Sequence, residues 1–185
     1  MASLIIAFHS GYGHTRRLVD AALEGVATHA GIEAEAIDVT RLDEAAWTRL
    51  DRADAIILAC PTYMAGPSAA FKQFADQSSS VWIRQGWKDK LAGGMTCSLN
   101  MSGDKLVTLN WMVNFAMQHG MIWVGTGLMP PSQPGHPDEL NRLGSSTGVM
   151  AQADNLPPEQ APPPGDLETA REFGSRIAGL LKKPG

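Results

Sequence analysis

Two stretches of the chain, residues 4–8 and 55–60, are apolar at almost every position. Unbroken apolar runs of this length are typical of strands that are buried on both faces, as in parallel sheets. Residues 34–39, 94–98 and 121–124 form weaker runs of the same kind. The pattern therefore predicts five strands, of which the first and third are the most buried.

Between these runs, apolar residues recur every three or four positions, as on one face of an amphipathic helix. Pro67 and Ser68 are suited to open the third of these helices, and Asp166 is a plausible cap for the last. Five apolar stripes result: Leu18, Ala22 and Val26; Leu42, Trp47 and Leu50; Phe71, Phe74 and Ala75; Leu106, Leu109, Val113 and Met117; and Leu167, Ala170, Phe173, Ile177 and Leu181.

Alternation of strands and helices predicts a doubly wound α/β fold, a three-layer sandwich with helices on both faces of the sheet. Right-handed crossovers and a central first strand favour a five-stranded parallel sheet in the order 2-1-3-4-5. Residues 1–185 are long enough for one such domain. Ligands of these sheets bind beyond the carboxyl ends of the strands, so the loops after strands one and three are the first places to search.

Residues 125–165 do not fit this alternation. They separate the fifth strand from the last helix and contain a proline-rich stretch at 156–165. A structureless connection this long is usually functional or mobile. A polyproline ligand for another protein is one interpretation, and a stiff surface connector is the preferred one.

Composition limits the possible partners. The net charge is −4, and the chain has no cluster of basic residues that would follow a phosphate backbone, so a nucleic-acid partner is not expected. The apolar runs are too short to span a bilayer, which argues against a membrane protein. Cys60 and Cys97 are too few for a disulfide framework, which favours a reduced, cytoplasmic protein. No metal site is predicted.

The loop after the first strand, residues 9–16, is rich in small and hydroxylated residues and leads directly into a helix. Backbone N–H groups and the helix dipole converge on an anion at such a position. Gly11 and Gly13 allow close approach of the backbone, and Ser10 and Thr15 offer hydroxyl donors. The Gly-Lys-Ser/Thr ending of a P-loop is absent. We therefore predict a phosphate site, against the alternative of an ordinary strand-to-helix turn.

The loop after the third strand begins with Pro61 and continues through Thr62, Tyr63 and Met64. Proline favours an extended exit from the sheet, which suits backbone contacts along the edge of a flat ligand. Tyr63 and Met64 are apolar where solvent would favour polar residues, so they are candidates to lie against an aromatic ring. A proline-bounded loop that only caps the next helix is the alternative.

Several short motifs follow one another in a characteristic order along nearly the whole chain. Two of them are Pro61-Thr62 after the third strand and Lys90-Leu91-Ala92 before the fourth. The remaining motifs are Tyr12-Gly13-His14, Phe74-Ala75-Asp76-Gln77-Ser78 followed by Trp82, and His119-Gly120-Met121. Together they resemble the WrbA-type NAD(P)H:quinone oxidoreductases of the flavodoxin superfamily, close to the NADPH-dependent FMN reductases. The chain departs from the family in the loop after the fourth strand, which is usually glycine-rich but here contains Leu99, Asn100 and Met101.

The resemblance implies a flavodoxin-like fold that binds FMN. By it, the phosphate is held by Ser10, Gly11, Tyr12, Gly13, His14 and Thr15. The isoalloxazine is lined by Pro61, Thr62, Tyr63 and Met64, and its other side is closed by Ser98, Asn100, Met101, Ser102 and Gly103. Trp82 and His119 are expected to border the place where nicotinamide and quinone bind in turn, with a loop at residues 144–148 reaching the same site. His119 could equally be a helix-terminal residue that interacts with the dipole.

The function implied is electron transfer from NAD(P)H through FMN to a quinone-like acceptor, in a homodimer or homotetramer. Two alternatives keep the flavin: a flavodoxin-type one-electron carrier, and an NAD(P)H-dependent FMN reductase that releases FMN. A third is a flavodoxin-like module without flavin that serves as an interaction or scaffold domain.

Overall fold

A computed structural model describes residues 1–131 and 136–182. Its sheet begins with four parallel strands in the order β2, β1, β3, β5. These are β1 (Ala2–Phe8), β2 (Ile32–Asp38), β3 (Ala55–Tyr63) and β5 (Leu91–Ser98), while β4 (Gly66–Pro67) is a short antiparallel partner of the end of β3. β1 and β3 are buried throughout their apolar runs, as their composition predicts.

The fifth position of the sheet is filled by two short strands. β6 (Ile122–Trp123) pairs with Leu91 and Ala92 at the start of β5, and β7 (Val149–Gln152) pairs with residues 95–98 at its end. The long region that did not fit the alternation therefore begins as an insertion within the fifth strand. Trp123 Nε1 donates to the carbonyl of Thr147 at 2.8 Å, which joins the departing and returning segments. The predicted order 2-1-3-4-5 is confirmed, with the fifth strand interrupted.

Helices cover both faces of the sheet. They are α1 (His14–Ala27), α2 (Glu44–Arg52), α3 (Ala69–Gln77), α4 (Ser79–Ile83), α5 (Lys105–Gln118) and α6 (Pro164–Leu181). α1 and α6 pack on one face with Leu4, Ile6 and Phe8 of β1, whereas α2 to α5 pack on the other with Ile5 and Ala7. This alternation along β1 produces two cores, and the flavodoxin-like three-layer sandwich is confirmed.

Two helix predictions are corrected. In α5, Leu106 and Met117 of the expected stripe are about half exposed, whereas the buried face includes Lys105, Thr108 and Met112. Asp166 is not the cap of α6, because the helix already begins at Pro164 and the Asp166 carboxylate is buried against Arg142.

Candidate functional site

A cavity of about 720 Å³ opens at the carboxyl ends of β1, β3 and β5, where a doubly wound sheet binds its ligands. Its volume is in the range of cavities that hold a cofactor. Most of the predicted flavin site lines it: Ser10, Gly11, Tyr12, His14, Thr15, Pro61, Thr62, Tyr63, Met64 and Ser98. The remainder of its wall consists of Cys97, Leu99, Ala153, Asn155, Leu156, Pro157 and Pro158.

The phosphate-loop end of the cavity is built around the start of α1. Gly13 precedes the helix with φ +93°, a left-handed conformation that glycine adopts without steric cost. A Cβ at this position would lie 2.9 Å from Pro158 Cγ. Ser10 Oγ accepts from the backbone N–H of Arg16 at 3.1 Å, and the Thr15 hydroxyl group is buried in the wall. This end of the cavity suits a phosphate group, because it combines small residues, a helix N-terminus without a side-chain cap and a buried hydroxyl group.

The proline-rich segment closes over this loop. His14 Nε2 bonds with the carbonyl of Leu156 at 2.7 Å, so the imidazole donates from that nitrogen. Asp154 and Asn155 adopt positive φ values of 52° and 53°, which turn the chain back from β7 toward α1. Residues 156–158 lie at the surface, as expected of a surface connector, and they also form part of the cavity wall, which was not expected.

The other end of the cavity is apolar and open. β3 continues through Tyr63, and the turn to β4 places Met64 and Ala65 at φ 46° and 63°. Such values are uncommon for residues other than glycine and tend to mark functional segments. The Met64 side chain is fully exposed, and the Tyr12 ring, three-quarters exposed, lies edge-on to Tyr63 with centroids 6.0 Å apart. This apolar rim suits a flat aromatic ring.

Thr62 lines the cavity, as expected. Its hydroxyl donates to Thr108 at 2.7 Å and bonds with Thr96 at 2.8 Å. These bonds link the cavity wall to β5 and to α5 behind it.

The loop after β5 contributes only in part. Ser98 and Leu99 line the cavity, whereas Asn100, Met101, Ser102 and Gly103 are not among its wall residues. The loop is fixed from behind by Lys105, whose ammonium group is fully buried. The sequence analysis did not single out this lysine, because the apolar periodicity of the helix gives no sign of a buried ammonium group.

Trp82 and His119 are not brought to this cavity within one chain. They line a second one, of about 340 Å³, between α3, α4 and α5. α5 starts behind the first cavity and has 14 residues, so its far end lies about 20 Å away at 1.5 Å per residue. The expectation that both residues border the flavin site is not met within a single chain. The 144–148 loop also does not line the first cavity; Gly148 instead packs against Gly94 and Leu109.

His119 lies in an aromatic environment. Its ring is 4.5 Å from that of Trp87 and 4.9 Å from that of Phe115, and Nε2 bonds with Ser78 Oγ at 2.9 Å. Nδ1 is buried without a hydrogen-bond partner among the described residues. Burial lowers the pKa of His119 to about 4, so the imidazole is neutral and does not act as a cation at the end of α5.

This pKa predicts a loss of stability in acid. Between pH 6.5 and about 4, the imidazole of the unfolded chain binds a proton that the folded chain excludes, so stability decreases as the pH falls. The slope contribution is at most about 1.4 kcal/mol per pH unit. His119→Phe should flatten the profile of unfolding free energy over this window, because it keeps the ring packing and Ser78 retains its bond to Ala75.

The control for this prediction is His136→Phe, which removes an imidazole whose side chain is 68% exposed. Its profile should follow that of the unmodified chain. A His119→Phe profile as steep as that of the unmodified chain would show that another group dominates acid unfolding.

Among residues 1–131 and 136–182, no group of three or more His, Cys, Asp or Glu side chains is arranged to hold a metal ion. Within the same residues, no helix combines the length and apolarity needed to cross a bilayer.

Comparison with known proteins identifies the family to which the chain belongs. Residues 4–133 match the model of the NADPH-dependent FMN reductase family. A Pseudomonas aeruginosa protein named flavodoxin FldP is 41% identical over 182 residues, which cover 97% of each chain. An Archaeoglobus fulgidus protein named NAD(P)H dehydrogenase (quinone) is 29% identical and covers 99% of each. The crystal structure of a flavodoxin, WrbA-like protein from Agrobacterium tumefaciens has a TM-score of 0.76 at 40% identity and covers 98% of each.

The family match identifies oxidoreduction as the chemistry, with FMN and NAD(P)H as the cofactors. The cavity agrees with this assignment at both ends, since one end suits a phosphate and the other a flat apolar ring. The chain therefore belongs to the NADPH-dependent FMN reductase family, as a WrbA-type member of the flavodoxin superfamily.

Proposed function

We propose that this protein transfers electrons from NAD(P)H to a quinone-like acceptor through FMN held in the first cavity. The observation that carries the proposal is the open apolar end of that cavity, where Tyr12, Met64 and Leu99 are exposed. An open face next to the flavin ring would admit a small planar molecule. The relatives named NAD(P)H dehydrogenase (quinone) support the same acceptor class.

In this proposal, one end of the first cavity binds the FMN phosphate, and the apolar end orients the electron donor and the acceptor. Backbone N–H groups at the start of α1, with the hydroxyl groups of Ser10 and Thr15, would hold the FMN phosphate. The segment containing Pro157 and Pro158 would exclude water from it. FMN, when bound, supplies the hydride-accepting and electron-donating chemistry. The rim formed by Tyr12 and Met64 would hold donor and acceptor in turn against the ring.

The decisive experiment is anaerobic stopped-flow measurement of flavin absorbance. Mixing the FMN-loaded protein with NADH or NADPH should bleach the flavin, and a quinone should restore the colour. Because donor and acceptor would share one face, steady-state turnover should give parallel double-reciprocal lines. Absence of bleaching with both nucleotides would overturn the proposal.

Two other functions have specific support. The relative named flavodoxin FldP favours a one-electron carrier, and the family description favours a reductase that releases FMN. A carrier would accumulate one-electron-reduced flavin during dithionite titration and oxidise NAD(P)H hardly at all. An FMN reductase would lose its flavin on gel filtration and reduce added free FMN.

We further propose a homodimer or homotetramer in a cytoplasmic setting. Among the tryptophans, which are enriched at subunit interfaces, Trp87 is fully buried within the chain, and Trp111 and Trp123 pack against its core. Trp82 is 42% exposed beside Ile83, which is 75% exposed, so the proposed interface rests on these two residues. Light scattering at micromolar concentration should give a multiple of the 19.8 kDa chain mass, and a monomer mass would contradict the proposal.

Trp82 and His119 retain a proposed role in turnover only through such an assembly. Because they line the second cavity and not the first, they would have to approach the flavin of another copy. Trp82→Ala should then weaken quinone turnover more than FMN affinity. An equal effect on both would place Trp82 outside the reaction.

A further inference from the structure

Lys105, the first residue of α5, has an ammonium group that is fully buried. Nζ donates three hydrogen bonds of 2.8 Å each, to Ser98 Oγ and to the carbonyls of Asn100 and Met101. All three of its protons are therefore used, and none of these acceptors is a carboxylate. Lysine is rarely buried completely unless it is paired with a carboxylate, because desolvation of the charge costs several kcal/mol.

The three acceptors belong to the loop that follows β5. Ser98 and Leu99 of this loop line the first cavity, so the ammonium lies one hydrogen bond behind the cavity wall. Gly103, at φ 50°, allows the loop to close tightly, because the Cβ of any other residue there would clash with Ser98 Oγ. The lysine thus fixes the position of the wall and places a positive charge behind it.

The pKa of Lys105 agrees with an ammonium group that donates three hydrogen bonds. Burial lowers the pKa of Lys105 to about 8, with Arg142 acting in the same direction and Cys97, Asp166 and Asp154 opposing it. The amine is therefore mainly protonated at pH 7. An apolar side chain of similar length would avoid the desolvation cost, so the buried ammonium calls for a functional explanation.

We propose that Lys105 is a positioning residue that holds Ser98 and Leu99 against bound FMN by bonding the loop behind them, and that its buried positive charge favours the reduced flavin. NAD(P)H delivers a hydride, which is two electrons and one proton, and leaves as NAD(P)⁺. The flavin then has one more negative charge than before. An ammonium group that is fixed in place and shielded from solvent stabilises that charge more strongly than it would in water. The inference rests on FMN occupying the first cavity.

The two parts of the proposal are separable by measurement. Loss of loop positioning would weaken binding of oxidised and reduced FMN by the same factor and leave the reduction potential unchanged. Loss of the charge would weaken binding of reduced FMN more than that of oxidised FMN. The midpoint potential therefore reports the electrostatic part alone.

The test is Lys105→Met, with Lys182→Met as a control for an exposed lysine at the far end of α6. Fluorescence titration gives the affinity for oxidised FMN, and anaerobic titration with a reference dye gives the midpoint potential. We expect Lys105→Met to weaken binding of oxidised FMN. We expect its affinity for reduced FMN to fall at least tenfold further, which lowers the two-electron potential by about 30 mV. Lys182→Met should match the unmodified protein.

Two further variants keep the proposal testable if Lys105→Met does not fold. Lys105→Arg keeps the charge and should keep the potential, whereas Lys105→Gln should lower it; circular dichroism of the apo-proteins checks the fold. An unchanged potential in every folded neutral variant would overturn the electrostatic part, and unchanged affinity for oxidised FMN would overturn the positioning part. Failure of the unmodified protein to bind FMN would instead contradict the proposed function.

Discussion

Gly13→Val should abolish FMN binding while the apo-protein stays folded. The residue has φ +93°, and a Cβ there would lie 2.9 Å from Pro158 Cγ, so the variant must move the phosphate loop, the proline segment or both. Two charge-assisted hydrogen bonds to the phosphate contribute about 3–6 kcal/mol together, and their loss weakens binding more than about a hundredfold. A fluorescence titration with FMN measures the change.

The chain offers a matched control for backbone strain. Gly31 has φ +86°, but a Cβ there would meet nothing within 4 Å. Gly31→Val should therefore cost similar stability, about 1–2 kcal/mol for a left-handed residue, and leave FMN affinity unchanged. Wild-type affinity in Gly13→Val would show that the phosphate binds elsewhere, and equal losses in both variants would point to general destabilisation.

Among the substitutions proposed for this protein, Asp166→Ala should cause the largest loss in the free energy of unfolding. The Asp166 carboxylate accepts from Arg142 Nε at 2.8 Å, from Arg142 Nη2 at 3.0 Å and from the Gln152 backbone N–H at 2.9 Å. The two side chains are only 2% and 6% exposed. Removing one partner of a buried pair leaves the other charge uncompensated, so we expect a loss of about 3–5 kcal/mol in urea unfolding.

Two comparisons make this prediction specific. The exposed Arg16–Asp20 pair also forms a short contact, but Asp20→Ala should cost no more than about 1 kcal/mol. A double variant, Arg142→Met with Asp166→Leu, removes both charges and should recover most of the stability. If Asp166→Ala costs no more than Asp20→Ala, this ion pair does not hold the insertion to α6.

The phosphate loop shows how much of a site can be predicted from local sequence. Small residues between an apolar strand and a helix have few other conformations, and an anion site follows from the helix start itself. Gly13, Ser10 and Thr15 were predicted for this reason, and Ser10 and Thr15 line the first cavity. The proline segment that covers them was not, because residues 156–158 are more than 140 positions away. Only the packing of α6 beside α1 and the short β7 bring them there.

The buried face of α5 shows the opposite case. Periodicity indicated Leu106 and Met117, whereas the structure buries Lys105, Thr108 and His119. Each buried polar group bonds to a residue of another element: Ser98 for the lysine, Thr62 for the threonine and Ser78 for the histidine. Polar residues enter a core only when such partners exist. No pattern within the helix reveals those partners.

The sequence by itself determined the first four long strands, five of the helices, the sheet order and the position of the loop for which a phosphate site is predicted. These depend on apolar runs, on helical periodicity and on glycine at a turn, all of which act over a few residues. Only the tertiary structure decided that the fifth strand is interrupted, that proline residues close the cavity, and that Trp82 and His119 line a separate one. Burial, hydrogen-bond partners and distance between sites are properties of the folded chain as a whole, because residues remote in sequence supply them.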